Sequence, residues 1–189
     1  MQKVGYLYNT EKGPVGEPGI FYDYIVASNG LFIRAQNPHI KATVAIASAN
    51  VRGLCPLWQD IELAHGKIPG VVLLLATGTL NADPFHERYV AVVWDNGYHL
   101  KVPQQVGGGA SVEYERLPNT VVEFHSHSMM SSFFSSTDTR DEQGFGVYVV
   151  VGRLDMLIPE MQARIGVYGY FASLSLDEVF DVYTRKPIH

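Results

Sequence analysis

The chain has 189 residues, of which 47% are hydrophobic, 12% aromatic and 17% charged. That length suits one compact domain with a small appendage, and that composition excludes long disorder. A net charge of −5 with scattered Lys and Arg offers no basic stripe to a phosphate backbone, which excludes nucleic acid as a direct ligand.

The opening MQKVGYLYNTEKG lacks the uninterrupted apolar core of a signal peptide, and no later run approaches the ~20 apolar residues that span a bilayer. A soluble, cytoplasmic protein without membrane contact is expected. FYDYIVASNGLFIRAQ reads as two strands around Ser28-Asn29-Gly30, because β-branched and aromatic residues flank a dipeptide that tolerates positive φ. IKATVAIASANVRGL continues as a strand, so residues 1–50 form an N-terminal β element, either part of the same domain or a device that selects a partner. Cys55 is the single cysteine. It excludes an internal disulfide and a multi-cysteine zinc cluster, and between Leu54 and Pro56 it reads as a buried small hydrophobe.

PLWQDIELAHGK spaces Leu57, Ile61 and Ala64 as a helix does, and Pro69-Gly70 ends it. VVLLLATG, residues 71–78, is apolar at every position and reads as a strand buried on both faces. Asp83-Pro84 marks a turn. HERYVAVVW and YHLKV flank Asp95-Asn96-Gly97, a hairpin signal. GGGAS, residues 107–111, reads as a flexible connector, with a lid as the less favoured alternative. VVEFHSH is a short strand, and its period of two sends the side chains of Glu123, His125 and His127 to one face. STDTRDEQ starts a helix capped by Ser136 or Thr137. VYVVVGRL and ARIGVYGYFA are two further strands and LDEVFDVY a short C-terminal helix, a mixed α/β layout.

Two histidines at i and i+2 of a strand present both imidazoles to one side, close enough to share a tetrahedral ion. Asp138, from the first turn of the following helix, supplies a third ligand and leaves the fourth position open, as in hydrolytic rather than structural zinc sites. Ser135 lies three residues before Asp138, on the same side of a helical turn, where its hydroxyl can donate to a developing oxyanion. Taken singly, a histidine on a strand is more often structural than a ligand; the joint spacing of four residues is what favours a metal site. A non-hydrolytic oxygenase also uses two histidines and a carboxylate, but it has no use for Ser135. In SMMSSFF, the side chains of Met129, Met130, Phe133 and Phe134 either grip an extended substrate tail or anchor the loop. His65, His86, His99 and His189 lack partner spacing and read as surface residues.

His125-x-His127, seven residues, then Ser135-x-x-Asp138 resembles the H-x-H-x(7)-S-x-x-D signature of the JAMM or MPN+ (Mov34/PAD-1) metalloproteases at every fixed position. EFHSHSMMSSFFSSTDTRDEQGFGVYVVVGRL followed by RIGVYGYF more narrowly resembles the prokaryotic JAB branch, and within it protein A of the PRTRC systems, whose operons also carry a ThiF-like adenylating protein. The resemblance implies a mixed central sheet flanked by helices, of cytidine-deaminase-like architecture, over residues 51–189. It implies a Zn2+ ion held by His125, His127 and Asp138, with Ser135 as oxyanion donor. The activity implied is zinc-dependent hydrolysis of an amide or isopeptide bond at the C-terminal tail of a ubiquitin-like or sulfur-carrier-like protein, with a ThiF-like adenylating protein as a further partner. The alternative is a catalytically inactive docking module for the same partners.

Two positions depart from the family pattern. Ser128 stands where proline usually follows the second histidine, a change expected to affect only loop stiffness. The family's general base is a glutamate just ahead of a strand that resembles VVLLLATG, where this chain has Pro69 and Gly70. Proton transfer to the leaving amine then falls to Glu123, on the strand face of both histidines, with Glu62 and Glu142 as alternatives. Glu123 also reads as a carboxylate that orients a histidine through its ring N–H.

Overall fold

The computed structural model describes residues 2–107 and 112–182. They form two compact units, one comprising the residues up to His65 with Glu142–Phe145 and Ile165–Ala172, the other Gly66–Asp141, Gly146–Arg164 and the described residues from Ser173 onward.

Alternating buried and exposed side chains build the first unit. Its strands are β1 (Val4–Thr10), β2 (Gly13–Glu17), β3 (Tyr22–Ala27), β4 (Gly30–Gln36), β5 (Ile40–Ser48) and β6 (Asp60–Leu63), in the sheet order β2-β1-β3-β4-β5-β6. β1 and β3 pair in parallel and the other neighbours antiparallel. Leu7, Ile25, Ala27 and Phe32 make one core cluster, with Leu57 packed against it. The hairpin expected around Ser28-Asn29-Gly30 is β3–β4, and the Asn29 side chain exchanges hydrogen bonds with the Leu57 backbone, donating at 2.8 Å and accepting at 3.0 Å. Cys55 is half-buried rather than buried. Its backbone makes the contacts, the N–H donating to the Asn9 carbonyl at 2.8 Å and the carbonyl accepting from Ser28 N–H at 3.0 Å.

The helix expected over residues 57–64 does not form. Ile61 and Leu63 alternate with the exposed Asp60 and Glu62, and this segment completes the open backbone groups of β5 as its edge neighbour. A three-residue helical spacing carries little weight against a row of unpaired amides.

The remaining elements begin with β7 (Ile68–Pro69), α1 (Gly70–Asn81), β8 (Tyr89–Trp94), β9 (Tyr98–Lys101), β10 (Gln105–Gly107) and β11 (Val112–Tyr114). Next come β12 (Thr120–Ser126), α2 (Ser136–Asp141), β13 (Phe145–Gly152), β14 (Glu160–Val167), β15 (Tyr170–Leu174), α3 (Leu176–Val179) and β16 (Phe180–Asp181). The main sheet has the order β15-β14-β13-β12-β8-β9, with β10–β11 and β16–β7 as small pairs. The architecture is mixed α/β with few helices. Of the GGGAS connector, residues 108–111 lie outside the described residues; Gly107 closes β10, which pairs antiparallel with β11.

Two further expectations are corrected. VVLLLATG is not a buried strand but most of helix α1, opened rather than ended by Pro69-Gly70. An apolar run without alternation does not distinguish the two states, and twelve residues make three helical turns. Val72, Leu73, Ala76 and Leu80 are buried at helical spacing, while Val71, Leu74 and Leu75 are exposed. Thr77 and Thr79 satisfy their hydroxyls on the carbonyls four residues back, at 2.9 and 2.8 Å. ARIGVYGYFA, expected as one strand, spans β14 and β15 around Tyr168-Gly169, whose φ values of 49° and 90° suit a tight hairpin turn.

The strand directions prepare a site. β12 and β13 pair in parallel, so the chain must cross over between them through residues 127–144, leaving from the carboxyl end of β12. β8 pairs antiparallel with β12, in the register His125 opposite Tyr89. Residues just before β8 therefore lie beside those just after β12.

Candidate metal centre

His125 is half-buried in the last turn of β12's pleat and His127 is buried just past its end, with ring centroids 5.1 Å apart. Ser126, between them, faces the opposite way and is fully buried. Its Oγ accepts from Arg88 N–H at 3.0 Å and its N–H donates to the Arg88 carbonyl at 2.9 Å, so one residue clamps both sides of Arg88. His127 N–H donates to the Val151 carbonyl at 2.8 Å, which carries the β13 ladder up to the second histidine.

Asp138 reaches the histidines through a helix cap. Ser135, rather than the expected Ser136 or Thr137, caps α2: its Oγ accepts from Asp138 N–H at 3.1 Å, and Asp138 Oδ2 accepts from Ser135 N–H at 2.6 Å. This is a capping box with aspartate at its third position, so Ser-x-x-Asp is a local folding unit as well as a candidate reactive pair. The carboxylate lies against both rings, Oδ1 at 3.4 Å from His125 Nε2 and Oδ2 at 3.5 Å from His127 Nε2. Burial alone would raise the Asp138 carboxyl, but His125, His127 and Ser135 beside it outweigh burial and hold it well below the usual carboxylate range.

These residues fit a metal. The potential ligand atoms of His125, His127 and Asp138 all lie within 4.8 Å of one another. Metal bonds of ~2.0–2.2 Å in a tetrahedron place ligand atoms ~3.3–3.6 Å apart, whereas a charge-assisted hydrogen bond closes to ~2.7–2.9 Å. The nitrogen-to-oxygen separations of 3.4 and 3.5 Å match the first and exceed the second. Two nitrogens and a carboxylate oxygen are the donor set of a hydrolytic zinc site with an open position.

The crossover loop is fitted closely behind the ligands. Ser128 has φ 51°, a left-handed conformation closed to proline, so the replacement concerns backbone path and not only stiffness. Met130 N–H donates to the His127 carbonyl at 2.9 Å, and Leu154 N–H to the Ser128 carbonyl at 2.9 Å. A Cβ at Gly152 would collide with the backbone of Met130, Ser131 and Ser132. The four apolar loop residues divide their tasks. Phe134 is half-buried under the Arg164 guanidinium, 3.9 Å from its ring centroid, whereas Met129, Met130 and Phe133 are exposed, with Phe133 edge-on to the His127 ring at 4.8 Å.

Of the sequence-derived carboxylates, Glu123 lies in mid-strand, one pleat before His125, between Ala91 and Tyr148. Glu62 sits on β6 in the first unit, paired with Lys41 at 3.5 Å. Glu142 is buried and also belongs to the first unit. A further buried carboxylate within electrostatic reach of the cluster is Glu87, which the sequence reading does not single out. It is 8% exposed, just ahead of β8, and interacts electrostatically with His127, His125 and Asp138. Burial raises its carboxyl, the two histidines lower it and Asp138 raises it, with a net upward shift. The Ser126 clamp on Arg88 sets it there. With Asp83, His86, Arg88 and Gln105 it also lines a polar pocket of about 350 Å³. Glu87 stands two residues before β8 in HERYVAVVW, a position that reading VVLLLATG as a strand conceals.

Of the other described histidines, His65, His86 and His99 are exposed and His39 is buried. His65 Nε2 lies 3.2 Å from His39 Nδ1, His86 pairs with Asp83 at 3.0 Å, and His99 Nε2 lies 3.0 Å from the Asp95 carbonyl. His189 lies outside the described residues. Among the described residues no helix is long and apolar enough to cross a membrane.

The family model for prokaryotic homologs of the JAB domain matches residues 70–165, just over half of the chain, and spans Glu87, His125, His127, Ser135 and Asp138. The chain belongs to this family of JAB/MPN domains, which in general includes zinc isopeptidases. No curated protein matches it.

Proposed function

We propose that this chain is a zinc-dependent metallopeptidase or isopeptidase that hydrolyses the amide bond at the C-terminal tail of a ubiquitin-like or sulfur-carrier-like protein, in a system of the PRTRC kind that also supplies a ThiF-like adenylating partner. The observation that carries it is the cluster of His125, His127 and Asp138 with the buried Glu87 within electrostatic reach of it, since a carboxylate near the ligands is what separates a hydrolytic site from a bare metal site.

His125, His127 and Asp138 hold the ion. Zinc, when bound there, supplies a Lewis acid and lowers the pKa of water into the neutral range. Glu87 accepts the proton of the attacking water and delivers it to the departing amine nitrogen. It takes the place that sequence alone assigned to Glu123, because its burial favours the protonated form that the second step requires. The Ser135 hydroxyl is held in the capping box, where Oγ already accepts from Asp138 N–H and its own proton is left to donate to the carbonyl oxygen as charge develops. Phe133 and Met130, exposed beside His127, offer adaptable apolar contact to an extended tail.

The test is cleavage of C-terminal tail fusions of ubiquitin-like and sulfur-carrier proteins by the full chain, with zinc and after chelation. Chelator-sensitive hydrolysis, lost in Glu87→Gln while zinc content is kept, is the expected result. Binding of those partners without turnover, unaffected by Glu87→Gln or Asp138→Asn, would establish the docking module instead.

A further inference from the structure

The proposed ligands come from two segments, the end of strand β12 with the residue just past it and the six-residue helix α2. A helix of that length has no stability of its own, so something must hold Asp138 at a working distance from the histidines. Strand β14 supplies it. Glu160, Gln162 and Arg164 alternate along β14, so their side chains leave the same face, and each contacts the crossover that carries the site.

Glu160 Oε2 accepts from Ser132 N–H at 3.2 Å, and Gln162 Nε2 donates to the Ser132 carbonyl at 2.8 Å. The backbone of Ser132, itself buried, is thus held from both sides immediately before Phe133, whose ring packs on His127. Arg164, also buried, donates from one guanidinium nitrogen to Thr139 Oγ1 at 3.2 Å while its guanidinium covers the Phe134 ring. Phe134 and Thr139 bracket Ser135–Asp138 in sequence, and Phe134 lies edge-on to His125 at 6.3 Å. One guanidinium therefore grips both flanks of the capping box.

We propose that Glu160, Gln162 and Arg164 are positioning residues, a polar rail that sets the distance between the β12 histidines and Asp138 before any ion arrives. Ligands held in place by surrounding contacts need no ordering when the ion binds, and loss of such outer contacts lowers metal affinity. The rail rests on the metal-site reading above, and it makes a claim that this reading does not: three residues that touch neither metal nor substrate control affinity.

The experiment is cobalt and zinc binding to the full-length chain, by competition with a chromophoric chelator and by the cobalt ligand-field spectrum, alongside urea unfolding of the metal-free protein. Gln162→Leu and Arg164→Met each weaken binding about fivefold or more, the equivalent of one lost hydrogen bond, and alter the cobalt spectrum. Glu160→Gln, which keeps an acceptor for Ser132, stays near wild type. Thr139→Val, an exposed position that leaves the core untouched, weakens binding severalfold even if the Arg164 variant does not fold. Wild-type affinity and spectrum in Gln162→Leu and Thr139→Val would overturn the rail while leaving the metal site standing. A wild-type chain that takes up neither ion would overturn both.

Discussion

Replacing Asp138 with asparagine separates its two structural tasks. Asparagine keeps an oxygen that can accept the Ser135 N–H, so the helix cap survives, but it removes the anionic ligand lying 3.4 and 3.5 Å from the histidine nitrogens. Loss of an outer-shell partner alone weakens metal sites by ~10–100-fold, so loss of a direct carboxylate ligand should cost at least ~100-fold. Zinc at about 100 times the wild-type dissociation constant stabilises the wild-type fold by about 2.7 kcal/mol, and the same zinc stabilises the variant by only about 0.4 kcal/mol. At ~2–4 °C per kcal/mol for a chain of this size, the zinc-dependent rise in Tm is ~5–11 °C for wild type and ~1–2 °C for Asp138→Asn. Thermal unfolding at that zinc concentration, each protein referred to its own chelated control, reads both, because loss of the carboxylate's interactions with His125 and His127 lowers the metal-free stability of the variant as well. An equal zinc-dependent rise in wild type and variant would refute Asp138 as a ligand.

Glu87→Gln lowers hydrolysis by about 10²–10⁴-fold at unchanged zinc content, measured by turnover and metal analysis. It also changes the pH dependence of metal-free stability. The Glu87 carboxyl is raised above its ordinary value of 4.5, so the native state favours the protonated form; this stabilisation is complete at low pH and is lost as pH rises through the raised value. Glutamine cannot ionise, so urea unfolding should find the variant more stable than wild type at neutral pH relative to their difference below the ordinary value. Gly152→Ala drives a methyl into the backbone of residues 130–132 and should cost about 1–3 kcal/mol in urea unfolding, with weaker zinc retention as the loop shifts. Ser128→Pro, which restores the usual family residue, should destabilise the chain by about 1–3 kcal/mol, because proline cannot adopt φ 51°; equal stability would show that the loop re-routes freely.

Much of the site was legible because its logic is local. His125 and His127 share a strand face through a period of two that depends on nothing distant, and Ser135 and Asp138 are joined by a capping box spanning four residues. Hairpins marked by Asn-Gly turns, such as β3–β4 and β8–β9, were readable for the same reason. Elsewhere local pattern was ambiguous. VVLLLATG is apolar on every side, so periodicity could not distinguish a strand from helix α1, and reading it as a strand drew attention away from Glu87, the base proposed above. PLWQDIELAHGK carried a faint helical spacing that the open edge of β5 overrode.

By itself, then, the sequence determined the residue types and the spacing of the candidate ligands, since these are set within a few residues along the chain. The electrostatic reach of Glu87 to them depended on the antiparallel register of β8 against β12, which brings it toward His127 from forty residues upstream. The support beneath Asp138 depended on β14 lying behind the crossover loop. Strand pairing and side-chain burial join residues far apart in sequence through contacts that no local period encodes, and the placing of Glu87 within reach of the histidines is of that kind.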